Sequence, residues 1–170
     1  FGLGFKHRGT WWAVENLDAD SGLFDALVES TLHKVRAWCE ATGLHAWHPP
    51  QRKGSVRILV VRTSYADGGL LVNRVTTSDA PLDTEGFVSL VRGLWGDRVQ
   101  GILHTLNDDV GERVEAREGQ YKLIWGESVV TEVLHGLSFG ISMASFFQTN
   151  PASASQLYAE VMALALEGVE

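Results

Sequence analysis

With a single cysteine among its 170 residues, Cys39, the chain cannot form an internal disulfide, and noncovalent packing must supply its stability. A lone thiol also fits a reducing compartment. No apolar run approaches the ~20 residues that a membrane-spanning helix requires, and no charged-then-apolar leader precedes a cleavage site. A soluble, cytoplasmic protein with no membrane partner is therefore expected. Cationic side chains are scarce too: 14 Lys and Arg stand against 21 Asp and Glu, for a net charge of −7. That balance excludes a surface built throughout to bind a polyanion, because neutralising phosphates takes clustered Lys and Arg. Internal repeats, low-complexity tracts and long linkers are absent as well.

What remains is an ordinary globular composition, 45% hydrophobic, in a chain long enough to bury a core. Local basic clusters survive the acidic total: Lys6, His7 and Arg8 form one, and Arg52, Lys53, Arg57 and Arg62 another. The chain opens on Phe1 rather than methionine, and Leu3-Gly4-Phe5 reads as mid-strand, so a piece of something longer is expected.

Leu3 to Val14, with Trp11 and Trp12 after Gly9, suits a hairpin or edge strand. Ser21 is placed to cap a helix on which Phe24, Val28, Leu32, Val35 and Cys39 fall along one stripe, ending near Gly43. The segment from His45 to Gly54, with Pro49-Pro50, is a loop. Val56 to Arg62 reads as a buried strand, and Asp67-Gly68-Gly69 as a hairpin turn into a second strand from Leu70 to Thr76. Asp83 can cap a helix carrying Phe87, Leu90, Val91 and Leu94, and Val99 to Leu106 is the next strand. The order strand, helix, strand, strand, helix, strand is that of a split βαβ unit. It predicts an α+β fold, an antiparallel sheet with two helices on one face. After a polar stretch through Gln120, a C-terminal β-meander is expected over Tyr121 to Trp125, Val129 to Leu134 and Leu137 to Ser142, followed by a terminal helix.

That last helix has the clearest start signal in the chain. Asn150 can cap it, Pro151 suits its first turn, and Leu157, Tyr158, Val161 and Ala165 share a face. Phe146 and Gln148 therefore sit at a strand-to-helix junction, a place where α/β proteins present side chains to ligands. The residue types alone equally describe an aromatic core plug beside an exposed amide.

The run from Leu134 to Tyr158, with Ser145-Phe146-Phe147-Gln148-Thr149-Asn150 at its centre, resembles the F-x-Q-x-N region of the RNA uracil-C5 methyltransferases, which use S-adenosylmethionine. Leu3 to Trp12 and Gly101 to Asn107 match the same family in the same order. The resemblance implies a fragment of such an enzyme: a central domain over residues 1–145 and the start of a truncated methyltransferase domain over 146–170. It implies an RNA substrate, rRNA or tRNA, acting with S-adenosylmethionine. In the chemistry that it implies, a cysteine thiolate adds to C6 of a flipped-out uracil, C5 attacks the donor methyl, and a base removes the C5 proton.

On that resemblance Gln148 is the expected catalytic residue, Gln148 and Phe146 the cofactor edge, and Lys6 and Arg8 RNA contacts; Arg57 and Arg62, from the second basic cluster, are RNA-binding candidates whose plain alternative is a solvated face. Phe146 is expected to contribute packing as well as a pocket wall. Cys39 is rejected as nucleophile, since on the apolar stripe of a helix it acts as a small hydrophobe, and the family's nucleophile lies downstream. Some members carry a four-cysteine iron–sulfur site whose last ligand would fall near Ser21, where this chain has no cysteine, so no cluster is expected. No metal site is expected either: His45 and His48 are close in sequence, but no carboxylate or thiolate completes a set. The glycines of Gly2-x-Gly4 and Gly68-Gly69 read as turn glycines, because neither pair follows a strand and opens a helix. The truncated terminal helix offers an apolar face for self-association. The rival reading is a non-catalytic, single-domain RNA- or protein-binding module.

Overall fold

The computed structural model of the protein describes residues 2–10, 12–17, 21–79, 83–111, 114 and 121–167. Trp11, Pro81, Gly168 and most of the polar stretch before Gln120 lie outside them. A short antiparallel hairpin, β1 (Gly4–Lys6) and β2 (Val14–Asn16), precedes helix α1 (Ala26–Ala41). Strands β3 (Val56–Thr63) and β4 (Leu70–Thr76) pair antiparallel across the Asp67-Gly68-Gly69 turn, where Gly68 adopts a positive φ of 73°. Helix α2 (Thr84–Trp95) and a 3₁₀ turn over Gly96–Arg98 lead to β5 (Val99–Leu106) and then β6 (Tyr121–Gly126). The hairpin β7 (Val129–Leu134) and β8 (Leu137–Ser142) and helix α3 (Pro151–Leu166) complete the described residues.

Class and element order agree with the α+β expectation, but the pairing differs. The main sheet has the order β3-β4-β5-β6 and is mixed, because β4 and β5 run parallel. The cause is α2, which carries the chain back across the sheet so that β5 starts from the same end as β4. The expected β-meander is also divided. β6 joins the main sheet beside β5, whereas β7 and β8 form a sheet of their own. Along β7 every second residue is buried, Val130, Glu132 and Leu134, so that face must find a cover, and it packs on the main sheet instead of extending it. The turn between β7 and β8 is two residues long, with His135 and Gly136 both at positive φ, as a tight hairpin requires.

The first helix begins later than expected. Asp25, not Ser21, is the cap: its carboxylate accepts the N–H groups of Leu27 and Val28. Ser21 instead donates its hydroxyl and backbone N–H to the buried Glu29 carboxylate. Phe24 is thereby left outside the helix, while Val28, Val35 and Cys39 are buried as the spacing implies.

Both faces of the main sheet are covered. Val28 and Val35 of α1 and Phe87, Val91 and Trp95 of α2 pack on Leu70, Val72, Val99 and Ile102, so the two helices share one face as expected. On the other face Leu71 and Leu103 meet Val130, Ile141 and Met143. Each such side chain contributes about 1.5–3 kcal/mol when buried. Cys39 sits in this interior, and burial pushes its thiol up to about 11, the opposite of what a nucleophile needs.

One packed group titrates in an accessible range. His104 on β5 is half-buried and hydrogen-bonded to the Thr76 hydroxyl at 2.8 Å. Burial, reinforced by the Arg74 and Lys122 cations, depresses it from 6.5 to about 4. Its folded form therefore binds a proton less readily than the unfolded chain, and its contribution is complete above pH 6.5 and lost as pH falls toward 4. Thermal melts of the wild type should lose stability across that window. In His104→Gln the loss should be visibly smaller, and an identical pH profile would show that other groups dominate.

Candidate functional site

The segment from Ser145 to Asn150 is irregular, so its shape depends on side chains that seize it from outside. Arg62, near the end of edge strand β3, donates to the carbonyls of Met143 (3.3 Å) and Ser145 (2.6 Å). Below it, Phe147 packs against the second core and meets the Phe139 ring with centroids 5.9 Å apart. Beyond it, Asn150 accepts the Ser153 N–H at 3.0 Å, and Pro151 and Ala154 are buried, which fixes the start of α3. His135 adds a bond from its ring to the Ser155 carbonyl at 2.9 Å.

Between these fixed points Phe146 and Gln148 face outward. Phe146 is 85% exposed, which corrects the expectation that it packs; its neighbour Phe147 takes that role. The reason is spacing: with the chain held at Ser145 and Asn150, only one of the two rings can turn toward the interior. Gln148 is exposed, and among the described residues its amide has no hydrogen-bond partner. Gln148, Phe147 and Arg62 line an open cleft of about 700 Å³ between β3, the β7–β8 hairpin and the approach to α1.

A carboxylate that the sequence reading did not single out stands in the wall of this cleft. Glu132 is buried, accepts the Tyr65 N–H at 2.8 Å, and with Ser64, whose hydroxyl donates to the Thr131 carbonyl, joins the β3–β4 turn to β7. Its only signal in sequence was its place in an alternating strand, which reads the same for a solvent-facing glutamate. On another side the cleft is bounded by Phe24, Asp25 and Arg98. Arg98 grips both Asp25 oxygens and donates to the Gly68 carbonyl, and this bond holds the Asp25 carboxyl below its usual range.

The cationic candidates separate. Lys6 and Arg8 are exposed on and beside β1. Arg57 lies away from the cleft lining, donates to the carbonyls of Asn107, Asp109 and Gly111, and stacks on Trp47 at 4.7 Å. Burial lowers the affinity of both Arg57 and Arg62 for their proton, though in the ordinary range each stays charged.

A cleft floored by a sheet edge, with an outward-facing amide at its rim, has the form of a ligand-binding site. No family model matches the chain. It is, however, 35% identical over 160 residues to an uncharacterized RNA methyltransferase of Clostridium tetani, covering 94% of this chain and 34% of that protein. It is 36% identical over 160 residues to one from Caldanaerobacter subterraneus subsp. tengcongensis, covering 94% and 35%. The solved tRNA (uracil-54, C5)-methyltransferase of Pyrococcus abyssi, a complex with S-adenosyl-L-homocysteine, has the same fold over 96% of this chain and 37% of its own, with a TM-score of 0.74 at 22% identity. Over nearly its whole length the chain is thus similar to proteins named as RNA methyltransferases, and it spans about a third of the length of the curated relatives that it matches.

Two substitutions test how the loop is held. Arg62→Ala should cost about 1–3 kcal/mol and speed amide exchange between Met143 and Gln148, because two carbonyls lose a charged donor. Unchanged exchange there would mean that Phe147 alone holds the loop. Phe147→Ala should destabilise by about 1–3 kcal/mol, whereas Phe146→Ala should stay within about 0.5 kcal/mol of the parent. Denaturant melts decide between them, and equal losses would contradict the assigned orientations.

Proposed function

We propose that this chain is the central part of an RNA (uracil-5-)-methyltransferase, supplying RNA-facing surface and one edge of the catalytic pocket. The observation that carries this reading is Gln148: an amide with no partner of its own, on a loop clamped at both ends, at the rim of a cleft. Exposed amides are common. One held in place by an arginine, a half-buried ring and a helix cap is preorganised for a ligand. A glutamine offers both a donor and an acceptor, which matches the carbonyl and N–H edge of uracil. Relatives named as RNA methyltransferases support the reading.

S-adenosylmethionine would supply the methyl group when bound. The residues fit such a group at its edge: Gln148 has an uncommitted donor and acceptor, and the exposed Phe146 ring can form an apolar wall beside the start of α3. On this reading residues 1–145 are the central unit and 146–170 the beginning of the methyltransferase domain. In keeping with that division, α3 is buried only at Pro151 and Ala154, and exposes Leu157, Val161 and Leu164 for the rest of the enzyme or a second copy to cover.

RNA phosphates, from rRNA or tRNA, are met first by Lys6 and Arg8. Arg57 and Arg62 add positive potential from positions fixed by their carbonyl contacts. No described helix is long and apolar enough to cross a membrane, and this reading places the work on RNA in the cytoplasm. A stand-alone RNA-recognition sheet is disfavoured, since helices cover one face of the main sheet and the β7–β8 hairpin packs on the other, leaving no open platform for bases.

In the full-length parent enzyme, Gln148→Ala should slow single-turnover methyl transfer roughly 5–150-fold, the loss of about 1–3 kcal/mol from a bond made or strengthened in the transition state. Its melting temperature should not move, because the amide holds nothing in the fold. Methylation at the parental rate would sink the assignment.

A further inference from the structure

Leu23 and Phe24 stand on the lining of the same cleft, and their exposure is unusual for apolar side chains fixed beside a helix start. Phe24 is 53% exposed and Leu23 77% exposed. Phe5 of β1 lies against Phe24 with ring centroids 5.3 Å apart and planes 13° from parallel. That stack covers one face of the Phe24 ring, which remains 53% exposed among the described residues. The backbone cannot easily swing the ring inward, because the next residue, Asp25, is fixed twice, as the cap of α1 and by both of its oxygens to Arg98. A ring held this way is a preformed surface, with the entropy of ordering it already lost in folding.

The surroundings indicate what would cover it. Lys6 and Arg8 are exposed on and just after the short strand that carries Phe5, a local cationic run in a chain of net charge −7, although Lys6, next to Phe5 in the strand, turns to its other side. Single-stranded nucleic acid is held by this pairing of cations for phosphates with aromatic faces for bases. A protein partner would instead favour an apolar centre with charges removed to the rim. We propose that Phe24, backed by Phe5, is a stacking platform for an unpaired RNA base at the rim of the cleft, beside the nucleotide presented to Gln148. The inference rests on the RNA-methyltransferase reading above and adds to it a residue that positions substrate.

The test uses the full-length parent enzyme. Phe24→Leu keeps apolar bulk and removes the ring, while Phe24→Trp keeps a ring. Binding is measured to a single-stranded oligouridylate of about 12 nucleotides and to an abasic ribose-phosphate oligomer of equal length. Phe24→Leu should bind the oligouridylate about 5- to 150-fold more weakly. It should hold the abasic oligomer as the parent does, with the same salt dependence, and Phe24→Trp should retain parental affinity for both. Equal binding of oligouridylate by Phe24→Leu and the parent overturns the proposal. So does a parallel fall in melting temperature and in binding of both oligomers, which would make the ring a packing contact with another part of the enzyme. Methyl transfer from labelled S-adenosylmethionine is read separately. A parent that methylates RNA but is indifferent to Phe24 overturns the platform alone; one that shows the Phe24 pattern but transfers no methyl group overturns the enzymatic reading alone.

Discussion

Strand β4 is buried along its whole length, and most of the architecture follows from that constraint. A strand with no solvent-facing side must be paired on both edges and covered on both faces. β3 and β5 supply the edges, α1 and α2 cover one face, and the second face falls to the β7–β8 hairpin. A two-stranded cover is narrower than a four-stranded sheet. Toward β3 it leaves a gap, and the cleft occupies it, floored by Val60 and Val61 and walled by Val130, Glu132 and Ile141. The cleft is thus a consequence of how the core is closed.

The same closure explains why polar groups gather there. Where the hairpin meets the sheet edge, backbone groups at the end of β3 and in the β3–β4 turn lack a neighbouring strand, and side chains make up the difference: Glu132 takes the Tyr65 N–H and Ser64 reaches the Thr131 carbonyl. Arg62 does the corresponding work for the carbonyls after β8. Charged and polar residues are concentrated at the cleft because unpaired backbone is concentrated there.

Much of this was legible from the chain. The strand from Val99 to Leu106, the Asp83 cap, the Asp67-Gly68-Gly69 turn and the Asn150-Pro151 helix start are local signals, and each has a local cause in capping or turn geometry. What misled was non-local. Ser21 and Asp25 are both good caps by type, and the choice between them was made by Arg98, more than seventy residues away in sequence. Phe146 and Phe147 are indistinguishable by type, and the Arg62 clamp together with the second core decides which one packs inward. Parallel pairing of β4 and β5 likewise depends on where α2 lays the chain down, which spacing along either strand does not encode.

These choices meet in the six residues from Ser145 to Asn150, where folding and ligand presentation are assigned to different positions. Ser145 offers its carbonyl to Arg62, Phe147 fills the core and Asn150 caps α3, while Phe146 and Gln148 between them carry no structural duty. With Ser145, Phe147 and Asn150 anchored, Phe146 and Gln148 are left facing out. Rigidity without self-satisfaction is the result: Arg62, Phe147 and Asn150 hold the loop, and Phe146 and Gln148, free to meet a ligand, contribute nothing that holds it.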